Sequence, residues 1–218
     1  MCTDRYRTRY RGSVEPGRAR PAGRPRAFDA DAALDAAVRV FWAQGYEGAS
    51  LDDLTAAMGI TRTSLYRAFG NKEQLFGRVL ARYTETAAAY ALRAVGRPTA
   101  REVAREFLDG AVQATTDPSS PAGCLGVQGA LAVGSAGTAA RGVLASWREA
   151  GAALLRDRFE RSLQDGDLPA GTDPALLARH LMTVANGVAV QAATGVGESE
   201  LRVVVDMTLS SWPPSPRG

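Results

Sequence analysis

The sequence predicts an all-α protein of about nine helices. An N-terminal three-helix unit containing a helix-turn-helix is followed by a larger C-terminal helical region. Three observations carry that expectation. From Asp29 onward apolar residues recur at three- and four-residue spacing. The periodic segments open on Ser, Thr, Asp or Asn and close on Gly or Pro. No segment alternates apolar and polar residues with period two, and no repeat of 20–50 residues is visible.

The first helix is expected from about Asp29, a good N-cap, to Gln44, with Leu34, Val38, Phe41 and Trp42 inward and Gly45 as its left-handed stop. Ser50-Leu51-Asp52-Asp53 reads as a capping box that opens a short helix with Leu51, Leu54 and Met58 inward, ended by Gly59. Thr61 caps a third helix with Leu65 and Phe69 buried, stopped by Gly70. Asn71 caps a fourth that carries Leu75, Phe76, Val79, Leu80 and Tyr83. Pro98 to Glu102 holds a further capping box, for a helix to about Thr116, and Pro118 and Pro121 mark a loop. A small-residue helix is expected from Cys124 to Val133, and a long one from Thr138 to about Gln164. Asp173-Pro174, a cap followed by proline in the first helical turn, opens a helix to about Thr194. The last runs from about Ser199 to Trp212 and is halted by Pro213-Pro214.

Composition narrows the function. Of 218 residues, 45% are hydrophobic and 22% charged, as in a globular protein with a substantial core. No apolar run reaches the roughly 18 residues of a membrane span, and no secretory leader pattern is present, so the expected place is the cytoplasm. Two cysteines, Cys2 and Cys124, and one histidine, His180, leave no basis for a disulfide framework or a metal cluster, and no cofactor is expected. Without a glycine-rich phosphate loop or a nucleophile elbow, an enzyme is not expected either. The net charge of +3 conceals an asymmetry: residues 1–26 hold eight arginines against Asp4 and Glu15, a net +6, whereas the other 192 residues carry 18 basic and 21 acidic groups, a net −3. A basic arm on a mildly acidic body points to nucleic acid, and less strongly to an anionic membrane surface. Of the 26 basic residues only Lys72 is lysine.

Residues 51–69 have the spacing of a helix-turn-helix, whose second helix enters the DNA major groove. The outward positions of that helix, Thr61, Arg62, Thr63, Ser64, Tyr66 and Arg67, can all donate hydrogen bonds and none is acidic. Arginine pairs bidentately with guanine, and Thr and Ser serve bases or phosphates. An ordinary solvated helix face would give the same spacing. Lys72 stands in the first turn of the fourth helix, where the macrodipole disfavours a cation by about 0.3–1 kcal/mol. It is explained if a phosphate arrives there to meet the ammonium and the free N–H groups; pairing with Glu73 is the alternative.

Gly23-Arg24-Pro25-Arg26, Ala36-Ala37, Phe41, Gly45-Tyr46, Ala49-Ser50, Ala56 to Ile60, and Ser64-Leu65-Tyr66 through Phe69-Gly70-Asn71-Lys72-Glu73-Gln74-Leu75-Phe76 together resemble the N-terminal domain of TetR/AcrR-type transcriptional regulators, over residues 23–80. Thr55 departs from the alanine common in that motif; it fits if its hydroxyl bonds the preceding turn. The resemblance implies an all-helical homodimer that binds a pseudo-palindromic double-stranded operator. It divides the chain into an Arg-rich arm (1–22), a DNA-binding domain (23–71), and a ligand-binding and dimerisation domain (72–218). It further implies that Tyr66 and Lys72 clamp phosphates and that Arg62, Thr63 and Arg67 read sequence; the compact, extended Gly23-Arg24-Pro25-Arg26 separately suits Arg24 and Arg26 to a minor groove, as in homeodomain arms.

The C-terminal region resembles the family only in outline. Leu177, Leu181, Val184 and Val188, with Leu201, Val204, Val205, Thr208 and Trp212, form two helical stripes expected as a four-helix dimer seam; core packing within one protomer is the alternative. Phe107, Cys124, Val127, Leu131, Trp147, Leu154, His180 and Met182 are candidates for contact with a small, largely apolar effector, again against plain core packing. Cys124 at a helix start is a candidate reactive thiol or an inert buried one. The expected function is a repressor released from its operator by a small molecule. The alternatives are thiol or electrophile sensing through Cys124, and a helical protein–protein adaptor.

Overall fold

The computed structural model describes residues 28–127 and 138–216. Among them are nine helices and no strand: α1 (Ala30–Gly48), α2 (Leu51–Met58), α3 (Arg62–Phe69), α4 (Lys72–Glu85), α5 (Tyr90–Ala94), α6 (Ala100–Thr116), α7 (Thr138–Gln164), α8 (Pro174–Ala193) and α9 (Glu198–Ser210). Residues 125–127 are also helical. The arm with Arg24 and Arg26, most of the expected Cys124–Val133 helix, and Leu131 lie outside the described residues.

Local chemistry sets the N-terminal boundaries. Asp29 Oδ1 accepts the free N–H groups of Asp31 and Ala32 at 3.0 and 3.1 Å. Such caps contribute about 1 kcal/mol each. Reciprocal capping boxes open α2 (Ser50 with Asp53), α4 (Asn71 with Gln74) and α6 (Thr99 with Glu102). The Thr55 hydroxyl donates to the Leu51 carbonyl at 2.9 Å, within its own helix. Gly59 takes the left-handed conformation that ends α2. Gly45 has the expected positive φ, 72°, yet the chain makes one further helical turn to Gly48, closed by the Ala49 N–H on the Gly45 carbonyl. Gly45 is therefore a break within α1 rather than its end.

The buried residues fall into two clusters. One gathers Phe41, Trp42, Leu54, Leu65, Phe69, Leu75, Phe76, Val79 and Tyr83, and it continues past α3 to include Leu125, Ala140 and Leu144. The other is enclosed by α6, the far half of α7, α8 and α9, around Phe107, Leu108, Leu155, Phe159, Leu181 and Val205. The short α5 was not expected. It is capped by no side chain and is held by packing: Tyr90 lies 5.6 Å from Phe107 and directly over Gly110, where a Cβ would stand 2.5 Å from that of Tyr90. The buried Arg158 donates to the carbonyls of Val95, Arg97 and Pro98 and to the Ser162 hydroxyl, pinning the α5–α6 connection to α7. Burial lowers its pKa.

Most of the residues expected at a dimer seam pack within the protomer. Leu181, Val188, Leu201, Val205 and Trp212 are buried within the protomer, and Leu177, Val184 and Thr208 are half-buried, so only Val204 of that set is exposed. Both helices turn those residues toward their own protomer's core. The faces left open carry Leu176, His180, Thr183, Gly187 and Val190 on α8, and Val203, Val204 and Met207 on α9. His180 is thus a surface residue rather than a core histidine, and Leu176 and Met207 are 63% and 69% exposed.

Candidate nucleic-acid interface

α2 and α3 meet at Gly59-Ile60, and Leu65 and Phe69 sink one face of α3 into the first cluster. The opposite face presents Arg62, Thr63, Tyr66 and Arg67 to solvent, with Thr61 at its cap. Ser64 is half-buried, and it is tied to the cap: Thr61 Oγ1 accepts the Ser64 N–H at 3.2 Å and donates to Ser64 Oγ at 3.0 Å. Thr61 and Ser64 therefore hold the start of α3, and the side chains most open to a duplex are the other four.

Arg62 donates to Asp52 of α2 at 2.8 Å, a partner not anticipated from sequence. Both groups are well exposed, and such pairs contribute about 0.2–1 kcal/mol, so Arg62 can exchange Asp52 for a base edge at little cost. Arg62→Ala is expected to leave the melting temperature within a degree or two and to lower discrimination at one base per half-site by about 1–3 kcal/mol. Binding to a panel of singly substituted duplexes checks this; uniform weakening across the panel would mark a phosphate contact instead.

Between α3 and α4 lies a groove of about 470 Å³, lined by Tyr66, Arg67, Phe69, Gln74 and Arg78 among others. The Arg78 guanidinium donates to the Ala68 carbonyl at 2.9 Å and lies 5.5 Å over the Phe69 ring, bracing the end of α3. At the groove's far end α4 begins. Asn71 Oδ1 accepts the Gln74 N–H at 2.8 Å, and Gln74 Oε1 accepts the Asn71 N–H at 3.0 Å. The N–H groups of Lys72 and Glu73 have no acceptor within the helix. Lys72 makes no ion pair among the described residues; its ammonium sits 4.6 Å from the centroid of the Tyr46 ring. Burial lowers the Lys72 pKa, opposed by the Glu47 carboxylate. Burial, then Glu73 and Glu47, raise that of Tyr46.

The helix-turn-helix unit is joined to the rest of the protein through its own core. Trp42 Nε1 donates to the Gly123 carbonyl at 3.1 Å in a buried contact, and Arg39 donates to the Ser119 carbonyl at 3.2 Å. The Trp42 and Tyr83 rings meet edge to face at 4.9 Å. The Tyr83 hydroxyl donates to Cys124 Sγ at 3.3 Å, and Trp147 Nε1 donates to Thr84 Oγ1 at 2.8 Å.

The expected effector contacts are not brought together. Phe107 and Met182 belong to the C-terminal cluster, whereas Cys124 and Trp147 pack against the N-terminal one. Val127 and Leu154 are half-buried, and His180 is exposed. Met182 lines a cleft of about 310 Å³ between α7 and α8, bordered by Arg148, Arg156, Arg179 and Asn186. Sequence reasoning named Tyr46, Asp52 and Trp42 but not their contacts with Lys72, Arg62 and Gly123. The break at Gly45 directly before an aromatic residue was a usable signal for Tyr46; the other two contacts span gaps in sequence that no local pattern reports.

Comparison with known proteins agrees with this geometry. Residues 33–79 match the family model described as bacterial regulatory proteins, tetR family, and residues 100–205 match one described as tetracyclin repressor-like, C-terminal domain. The transcriptional repressor ComR of Escherichia coli is 31% identical over 193 residues, covering 88% of this chain and 92% of that protein. The uncharacterised regulator YezE of Bacillus subtilis is 30% identical over 194 residues, 86% of this chain and 98% of its own. Among solved structures, a cysteine mutant of the TetR family transcriptional regulator CifR, complexed with 26-bp double-strand operator DNA, is 44% identical. It superposes with a TM-score of 0.83, over 87% of this chain and all of that one.

Proposed function

Because the chain belongs to the tetR family of bacterial regulatory proteins, we propose that it is a homodimeric repressor that grips a pseudo-palindromic operator and is released by a small-molecule effector. The observation that carries this reading is the outward face of α3: Arg62, Thr63, Tyr66 and Arg67 stand exposed beside the α4 N-terminus and Lys72, donors without a carboxylate of their own helix among them. Arg62, Thr63 and Arg67 read base edges, and Tyr66 and Lys72 hold phosphates on either side. ComR is named a repressor and the CifR structures hold operator DNA; both support the same role here, exercised in the cytoplasm. The domain division follows: a head of residues 23–71, with α4 leading into a region, 72–218, that pairs and senses. Pairing uses the open faces of α8 and α9.

Release requires only that the effector favour a state whose two heads no longer match the operator. Cys124 supports a second, thiol-sensing reading, since its sulfur accepts the Tyr83 hydroxyl within the same cluster as Trp42. Cys124→Ser separates the two: a ligand-sensing repressor keeps its response to its small molecule, whereas a thiol sensor loses its response to oxidant or electrophile.

Selection of bound sequences from random duplexes tests the function. Enrichment of an inverted repeat is expected, with a copy near the protein's own coding region. A folded chain that enriches nothing would contradict a repressor and favour a helical adaptor.

A further inference from the structure

Lys72 faces a problem that its position creates. The first turn of a helix carries the positive end of the macrodipole, and a lysine stem is long and flexible. Glu47 and Glu73 both lie near enough to act on this corner. An ammonium free to swing would divide itself among these carboxylates and solvent. It does not: Lys72 is half-buried, 4.6 Å from the Tyr46 ring centroid, and unpaired with any described carboxylate. The ring's negative face attracts the cation that the helix end repels.

Tyr46 is itself fixed by the residues around it. The break at Gly45, φ 72°, turns the last residues of α1 back onto the core. The Tyr46 ring then stacks on Phe41 at 6.0 Å, with only 8° between planes, and meets Phe76 edge-on at 5.0 Å. Phe41 and Phe76 are fully buried. Phe76 lies one turn beyond Lys72 on α4, so the helix that carries the lysine also registers the ring beneath it.

We propose that Tyr46 is a positioning residue for DNA recognition: its ring holds the Lys72 ammonium, partly stripped of water and away from Glu47 and Glu73, where the α4 N-terminus receives a backbone phosphate. The inference rests on the reading of Lys72 as a phosphate contact. The ring sets where the charge sits; the charge and the free N–H groups make the contact.

The test uses the full chain and a duplex carrying the sequence selected from random pools, titrated from about 0.05 to 0.3 M salt. Lys72→Ala is expected to lower the slope of log affinity against log salt by about two per dimer. Tyr46→Phe, which keeps the ring, is expected to bind as the native chain does. Tyr46→Leu is expected to bind about three- to tenfold more weakly. Phenylalanines carrying one, two or three fluorines at position 46 drain the ring face while keeping its shape, and affinity is expected to fall stepwise at unchanged melting temperature. In a Lys72→Ala background all position-46 effects on affinity should vanish. A reduced slope for Lys72→Ala with native affinity across the fluorinated series would overturn the role of Tyr46 and leave that of Lys72 standing. Equal losses from Tyr46→Leu with and without Lys72 would overturn it too, by marking a purely structural role. An unchanged slope for Lys72→Ala would remove both. Should Tyr46→Leu fail to fold, the fluorinated series decides alone.

Discussion

Charge placed on the open face of α9, as in Val203→Glu with Met207→Glu, is expected to leave the protomer folded and to weaken operator binding ~100-fold or more. Both side chains are exposed and make no contribution to either buried cluster. Their replacement therefore costs the protomer little. The penalty falls on pairing. Exposed apolar faces on two adjacent helices lose their water when a second copy covers them, and Thr183 and Gly187 on α8 let a partner helix come close, with nothing within 4 Å of a Cβ at Gly187 in the protomer. Four carboxylates brought together across a two-fold axis repel one another and bury charge without partners. Each head alone then binds one half-site, without the high effective concentration that its twin supplies. Light scattering and fluorescence anisotropy on the same samples check this. A variant that remains dimeric would place the seam elsewhere, and a monomer that binds as tightly as the native chain would show that pairing is not needed.

Trp42→Ala is expected to cost about 3–5 kcal/mol, the range for truncating a large buried aromatic. Trp42 is buried, packs edge-on against Tyr83, and is the donor to the Gly123 carbonyl. Trp42→Phe keeps most of the packing and leaves that carbonyl unpaired, for an expected loss of about 1–3 kcal/mol. Urea denaturation followed by circular dichroism measures both. The ordering matters as much as the size: the Phe variant should be intermediate. Equal stability of Trp42→Phe and the native chain would show that the Gly123 bond contributes nothing to holding the head.

Local signals carried most of the N-terminal architecture. Caps at Asp29, Ser50, Thr61 and Asn71 and stops at Gly59 and Gly70 act within four residues of where they stand, so α2, α3 and the start of α4 were legible nearly to the residue. The four exposed donors of α3 followed from helical periodicity once Leu65 and Phe69 were taken as core. What failed was long-range. Periodicity says that α8 and α9 have apolar stripes, but both are apolar on more than one side, and only packing on α6 and α7 decides which side each protomer uses. Hence Leu181 and Val205 point inward, and Leu176 and Met207 outward. The expected effector set was scattered between two clusters for the same reason: bulk and polarisability do not say which core a residue joins. α5 escaped because five residues carry less than two turns of pattern and no cap. The Arg62–Asp52 pair joins two exposed side chains across the turn, which no apolar pattern records.

Hydroxyl-radical footprinting of the selected operator by the full chain tests the central claim most directly. Two heads related by a two-fold axis, each laying α3 in a major groove and closing Lys72 on the flanking backbone, predict two symmetric blocks of protection on one face of the duplex. In Lys72→Ala the symmetric sugars at the edges of both blocks should become accessible while the centres stay protected. A single unsymmetric block, or uniform protection indifferent to sequence, would contradict the account.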